Sequence, residues 1–135
     1  MEHIVDTSFV RDRVFSAAID DHMLVMDSPE EGPSAGPSPK KLMLASLGAC
    51  TGIDVVSILE KMQVPHSHFK ISTRAVLTEE HPKVYSEVYI IYHIKVAEEH
   101  QAKVKKAVDL SIEKYCGVMA MFEKFAKVKT EIEFN

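Results

Sequence analysis

Two residues in this 135-residue chain stand out chemically, Cys50 and Cys116. A thiol pair can close a disulfide or pass through a sulfenic acid, provided one sulfur can lose its proton. Cys50 falls inside an apolar run that reads as a helix. Cys116 sits at a helix break, just before a new helix begins, where backbone N–H groups stabilise a thiolate. Cys116 therefore has a local reason to react, whereas Cys50 needs a nearby cation or donor. The alternative is that both are small core residues, free cysteine being among the most buried residue types. Separation along the chain does not decide this, because a bond needs α-carbons roughly 4.4 to 6.8 Å apart.

Cations that might serve the thiols are few. Arg11 and Arg13 precede the second strand, and Arg74 lies in a later one. Lys40 and Lys41 open the Cys50 helix, about 14 to 15 Å from the thiol along its axis, too far to touch it on the same helix. Each of these charges reads more readily as solvated than as a partner of a thiol. His66 and His68 stand two apart and no Cys–X–X–Cys occurs, so no metal site is expected. No glycine-rich phosphate loop is present, and no cofactor is expected. Met119 and Met121, with Phe122 and Phe125, form either core filling or an apolar wall beside Cys116.

These residues need a scaffold. The length fits one domain, residues 1–135, and 46% hydrophobic residues can build a core without staples. A net charge of −4 without a basic stripe argues against nucleic acid. Lys103, Lys105, Lys106 and Lys114 sit among acidic residues on a solvated helix face. The start, Met1 to Asp6, has neither the basic nor the apolar region of a signal peptide. No apolar run is expected to reach the roughly 18 residues that span a bilayer. A cytoplasmic protein with no membrane partner is expected, and its thiols would be free or redox-active.

The first 27 residues read as strands, turning at Asp20–Asp21, with the earliest around Ile4 to Val10. Residues 28–39 carry four prolines and two glycines and read as an ordered loop. Ser38 and Pro39 then signal a helix start. The helix over about 39–62 has apolar residues in every direction (Leu42, Met43, Leu44, Ala45, Leu47, Ala49, Ile53), so burial on all sides is expected. A monomer of this size has difficulty surrounding it, and a second subunit would solve that. Two strands follow, turning near Glu79–Pro82. In the second, Val84, Val88, Ile90, Ile94 and Val96 share one face with Ser86 and Tyr92, while Tyr85, Glu87, Tyr89, Ile91, His93 and Lys95 take the other. A helix over about 98–115 puts Val104, Val108, Ser111, Ile112 and Tyr115 on one face. A short helix, about 118–125, and a last strand at 128–134 complete an α+β protein with a mainly antiparallel sheet, in the order β-β-β-α-β-β-α-α-β.

Gly36-Pro37-Ser38-Pro39, followed by Leu42 through Cys50, resembles the first-cysteine helix of the OsmC/Ohr family. Ala107 to Ser111, with Glu113-Lys114-Tyr115-Cys116, resembles the segment leading to the second cysteine. The run Gly52 to Leu59 is similar to the YhfA-like branch. The resemblance implies an intertwined homodimer around two long central helices. It also implies thiol peroxidase chemistry, with Cys50 attacking an organic hydroperoxide, Cys116 resolving the sulfenic acid as a disulfide, and a dithiol reductant restoring both. Family members carry a glutamate ten residues before the first cysteine, where this chain has Lys40. Neither Arg11 nor Arg13 lies in the family's arginine motif, so the activating ion pair is absent or rebuilt. The rival function is a dimer holding a small hydrophobic ligand in its interfacial cleft, with the cysteines as lining.

Overall fold

The computed structural model describes residues 1–135, which form two compact units, Met1–Met43 and Leu44–Asn135. In the first unit, β1 (Asp6–Arg11), β2 (Val14–Ile19) and β3 (His22–Met26) make an antiparallel meander in that order. Asp12 and Asp20 take positive φ (46° and 55°) at its two turns, a conformation that aspartate tolerates better than most residues. Val14 and Ala17 are buried, but Phe9, Val10, Phe15 and Met23 remain exposed, leaving an apolar sheet surface. The loop after β3 lacks regular structure, as its prolines and glycines imply, and is held by hydrogen bonds of its own. Asp27 accepts from the Ala35 N–H at 2.9 Å and donates its own N–H to the Pro37 carbonyl at 3.1 Å. Gly36 is required there, since a Cβ would sit 2.3 Å from the Val25 carbonyl oxygen.

Helix α1 runs over Pro39–Lys61. Ser38 caps it by accepting the Lys41 N–H at 3.3 Å, and Gln63 (φ 57°) turns the chain out beyond its end. Its buried residues are Leu47, Thr51, Val55 and Leu59, one every fourth position. Met43, Ile53 and Val56 are exposed, so one chain by itself covers one face of the helix. The expectation that no apolar stretch is long enough for a bilayer is corrected. By length and composition α1 meets that requirement, as core helices of non-membrane proteins also do.

In the second unit, β4 (Ser67–Leu77) pairs antiparallel with β5 (Tyr85–Lys95), and β5 pairs parallel with β6 (Lys127–Phe134). The parallel pair requires the crossover that α2 (Gln101–Leu110) and α3 (Gly117–Glu123) supply. Val88, Ile90, Tyr92 and Ile94 of β5 pack with α1, Val104, Ala107 and Val108 of α2, and Met119 and Phe122 of α3. Tyr85 is buried with them rather than facing outward. The pairing shifts between Val76 and Leu77, and this bulge reverses the inside–outside parity at the strand's start. The expected continuous helix over 98–115 is three pieces, a 3-10 turn (Glu98–His100), α2, and a π-helical turn (Ser111–Tyr115). That wide turn rotates Tyr115 out to solvent, where it is 53% exposed.

Candidate functional site

The two cysteines meet. Their side chains approach to 3.1 Å and both are free thiols. Cys50 comes from α1 and is half-buried; Cys116, between the π turn and α3, is 3% exposed. The Cys116 sulfur accepts the Met119 N–H at 3.3 Å, so the residue caps α3 as its position in sequence suggested. The expected gain in acidity does not follow. Burial pushes the Cys116 thiol up to about 12, the hydrogen bond with Cys50 and the Cys50 and Asp54 charges act in the same direction, and the Met119 N–H only partly opposes them. One donor at 3.3 Å cannot offset the loss of water around a thiolate. A proton held on Cys116 leaves the Cys50 sulfur as its acceptor.

Beside the sulfurs runs a polar chain that sequence reading missed. Thr51 Oγ1 bonds the Tyr92 hydroxyl at 2.8 Å and Ser111 Oγ at 2.8 Å. Ser111 Oγ donates to Asp54 Oδ2 at 2.9 Å. Thr51, Tyr92 and Ser111 are fully buried. Burial pushes the Tyr92 phenol up to about 12, with the Cys116 and Asp54 charges adding to it and the hydrogen bond shared with Thr51 opposing. One sequence signal was available, namely Thr51 and Asp54 flanking the Cys50 turn of a helix otherwise rich in apolar residues. Their partners came from β5 and the π turn, so tertiary contact was needed to pair them.

The cations offered by sequence serve local pairs. Arg11 pairs with Asp12 at 3.2 Å and Arg13 with Glu30 at 2.7 Å, while Lys40 and Arg74 are exposed. The proposed wall of methionines divides: Met119 and Phe122 are core, whereas Met121 and Phe125 face outward. The apolar cleft lies elsewhere, as a groove of about 800 Å3 between α1 and β4 lined by Leu44, Ile53, Val56, Phe69 and Ile71 among others. Neither cysteine lines this single-chain groove. On the opposite face of the sheet His93 bonds Ser72 at 3.2 Å and Glu133 at 2.8 Å. Serine, histidine and glutamate here lie on the flat face of three adjacent strands, and the cavity nearby is lined by Arg74, Tyr89 and Ile91 rather than by Ser72 or His93. We read them as a cross-strand polar ladder.

Residues 31–131 match the family described as OsmC-like protein, a span containing both cysteines and the whole hydroxyl chain. Protein YhfA of Escherichia coli (strain K12) is 34% identical over 112 residues, 83% of this chain and 82% of the relative. This chain belongs to the OsmC-like family. Solved structures agree. A protein from Aquifex aeolicus VF5 superposes with a TM-score of 0.83 at 29% identity, covering 100% of this chain and 98% of the other. The organic hydroperoxide resistance protein OhrB of Bacillus subtilis shares the fold at 16% identity, with a TM-score of 0.66 and 98% of each chain covered. The α+β architecture read from the sequence is therefore that of OsmC-like proteins. Within it, the lysine at position 40 and the locally paired Arg11 and Arg13 leave Asp54 as the charged side chain tied by hydrogen bonds into this site.

Proposed function

We propose that this OsmC-like chain is a thiol-dependent redox protein that reduces organic hydroperoxides, with Cys50 as the peroxidatic and Cys116 as the resolving residue. The observation that carries the reading is the 3.1 Å approach of the two side chains. Cys50 is the better first attacker, since it is half-buried while Cys116 is sealed. Its thiolate attacks the O–O bond of ROOH. With one proton taken up, a sulfenic acid forms and ROH leaves. Cys116 then displaces the sulfenic hydroxyl, which departs as water with the Cys116 proton, and an S–S bond closes. A dithiol reductant reopens it by exchange. Relatives named for organic hydroperoxide resistance support the substrate class.

The reading extends to assembly and place. One OsmC-like domain would act as a homodimer in the cytoplasm, the second copy covering apolar surface that this chain leaves open on its N-terminal sheet and on α1. The test is consumption of cumene hydroperoxide with dithiothreitol present, read alongside mass for a Cys50–Cys116 bond. Cys50→Ser should abolish turnover, and Cys116→Ser treated with the peroxide in the absence of thiol should stop at the Cys50 sulfenic acid. Unchanged peroxide consumption in both variants rejects the mechanism.

The groove of about 800 Å3 favours a second reading, a site for a small hydrophobic ligand. Native mass spectrometry of the purified protein decides it: a retained apolar small molecule supports binding, and an empty groove counts against it.

A further inference from the structure

Proton directions in the buried hydroxyl chain are set by its end. An ionised carboxylate only accepts, and each hydroxyl carries one proton. Ser111 gives its proton to Asp54, so Thr51 must donate to Ser111, and Tyr92 to Thr51. The chain begins in the core and ends on one half-buried charge, which borders a cavity of about 390 Å3 together with Ser57, Lys61 and Tyr115. Both halves of the thiol pair are tied to it. Thr51 follows Cys50 directly, and Asp54 lies one helical turn beyond Cys50 on the same side of α1. Ser111 opens the π turn, and its carbonyl accepts the Cys116 N–H at 2.8 Å.

We propose that Asp54 is a positioning residue for the thiol pair: by anchoring Ser111 it holds the backbone that carries Cys116 over the Cys50 turn of α1. The assignment rests on the redox reading of the two cysteines. π turns are rare and recur at functional sites, and this one is held from outside its own backbone. Ser111 supplies that anchor from its side chain and the Cys116 contact from its backbone. The same carboxylate has an electrostatic effect. It opposes loss of the Cys116 proton, which must leave when the S–S bond forms. The titratable and charged groups around it are Cys116 and Tyr92 on the buried side, and Lys61 and Tyr115 across the cavity.

The test uses diamide, which accepts two electrons and two protons from a neighbouring dithiol and needs no peroxide. Wild-type protein should close the Cys50–Cys116 bond, seen as loss of two hydrogens by mass. Asp54→Ala should slow closure about tenfold, within the roughly hundredfold that a 1 Å misplacement of reacting groups can cost. Asp54→Asn keeps an oxygen that accepts from Ser111, so it should restore at least the wild-type rate. Without the negative charge it should also lower the midpoint of the Cys116 thiolate absorbance titration, read in a Cys50→Ser background. Circular dichroism checks folding, and if the alanine variant unfolds, Ser111→Ala, which removes the same hydrogen bond, takes its place in the closure assay. A wild-type closure rate in Asp54→Ala, or a closure as slow in Asp54→Asn as in Asp54→Ala, overturns the proposal. The expected diamide results without peroxide turnover would leave Asp54's role standing and remove the peroxidase reading.

Discussion

At the scale of single residues, burial outweighs local capping. Cys116 has the helix-start position that favours a thiolate, yet at 3% exposure its thiol is held up to about 12. Stability must then depend on pH. The unfolded chain releases the Cys116 proton near pH 8.5 and the Tyr92 proton near pH 10, while the folded chain keeps both to about 12. Their contribution is full below about pH 8.5 and is lost as the pH rises toward 12. One such group gives a slope of at most about 1.4 kcal/mol per pH unit. Urea midpoints measured from about pH 7.5 to about pH 10.5 should fall in the wild type and fall less in Cys116→Ser. Equal slopes would show that Cys116 is not held protonated. Thr51→Val preserves shape but leaves the Tyr92 and Ser111 hydroxyls without their shared partner, and should cost about 1–3 kcal/mol in chemical denaturation.

Elements position these residues through a few local departures from regularity. The π turn at Ser111–Tyr115 shortens nothing in sequence, yet it turns Tyr115 outward and brings the Cys116 N–H back to Ser111. A period of about 3.6 residues read through the segment therefore places Ser111 correctly and Tyr115 wrongly. Along α1, Gly48 and Gly52 face β4, and a Cβ at Gly52 would come within 3.1 Å of Ile71 Cδ1. The helix lies this close to the strand because these positions lack side chains. Gly52→Val should push α1 off β4 and destabilise by about 1–3 kcal/mol, despite removing a helix-interior glycine. A thermal midpoint at or above wild type would show that the close approach is dispensable.

For the whole molecule, the open question is what covers the apolar surface. Ile53 is 69% exposed on α1, and Phe9 is 63% exposed on the N-terminal sheet. Each is more than a folded chain usually leaves bare at a large apolar residue within a wider apolar patch. Light scattering after size exclusion should give twice the 15.2 kDa chain mass. Ile53→Asp should shift the protein toward a single copy and weaken thermal stability, since a charge would enter the covered face. A monomeric wild type at micromolar concentration would overturn the homodimer and leave the groove beside α1 open to a small ligand.

Periodicity, turn residues and capping signals determined the element order, the Ser38 cap, the long apolar helix and the two cysteines as the chemistry to examine. Those are local properties, governed by neighbours within a turn or a strand pair. Tertiary structure alone decided that Cys50 and Cys116 touch, that Tyr85 turns inward past a bulge, and that Thr51, Tyr92, Ser111 and Asp54 join in one chain. The physical reason is that burial and hydrogen-bond partnership depend on what arrives from distant segments. A residue's own neighbours in sequence cannot specify how much water it loses or which side chain replaces it.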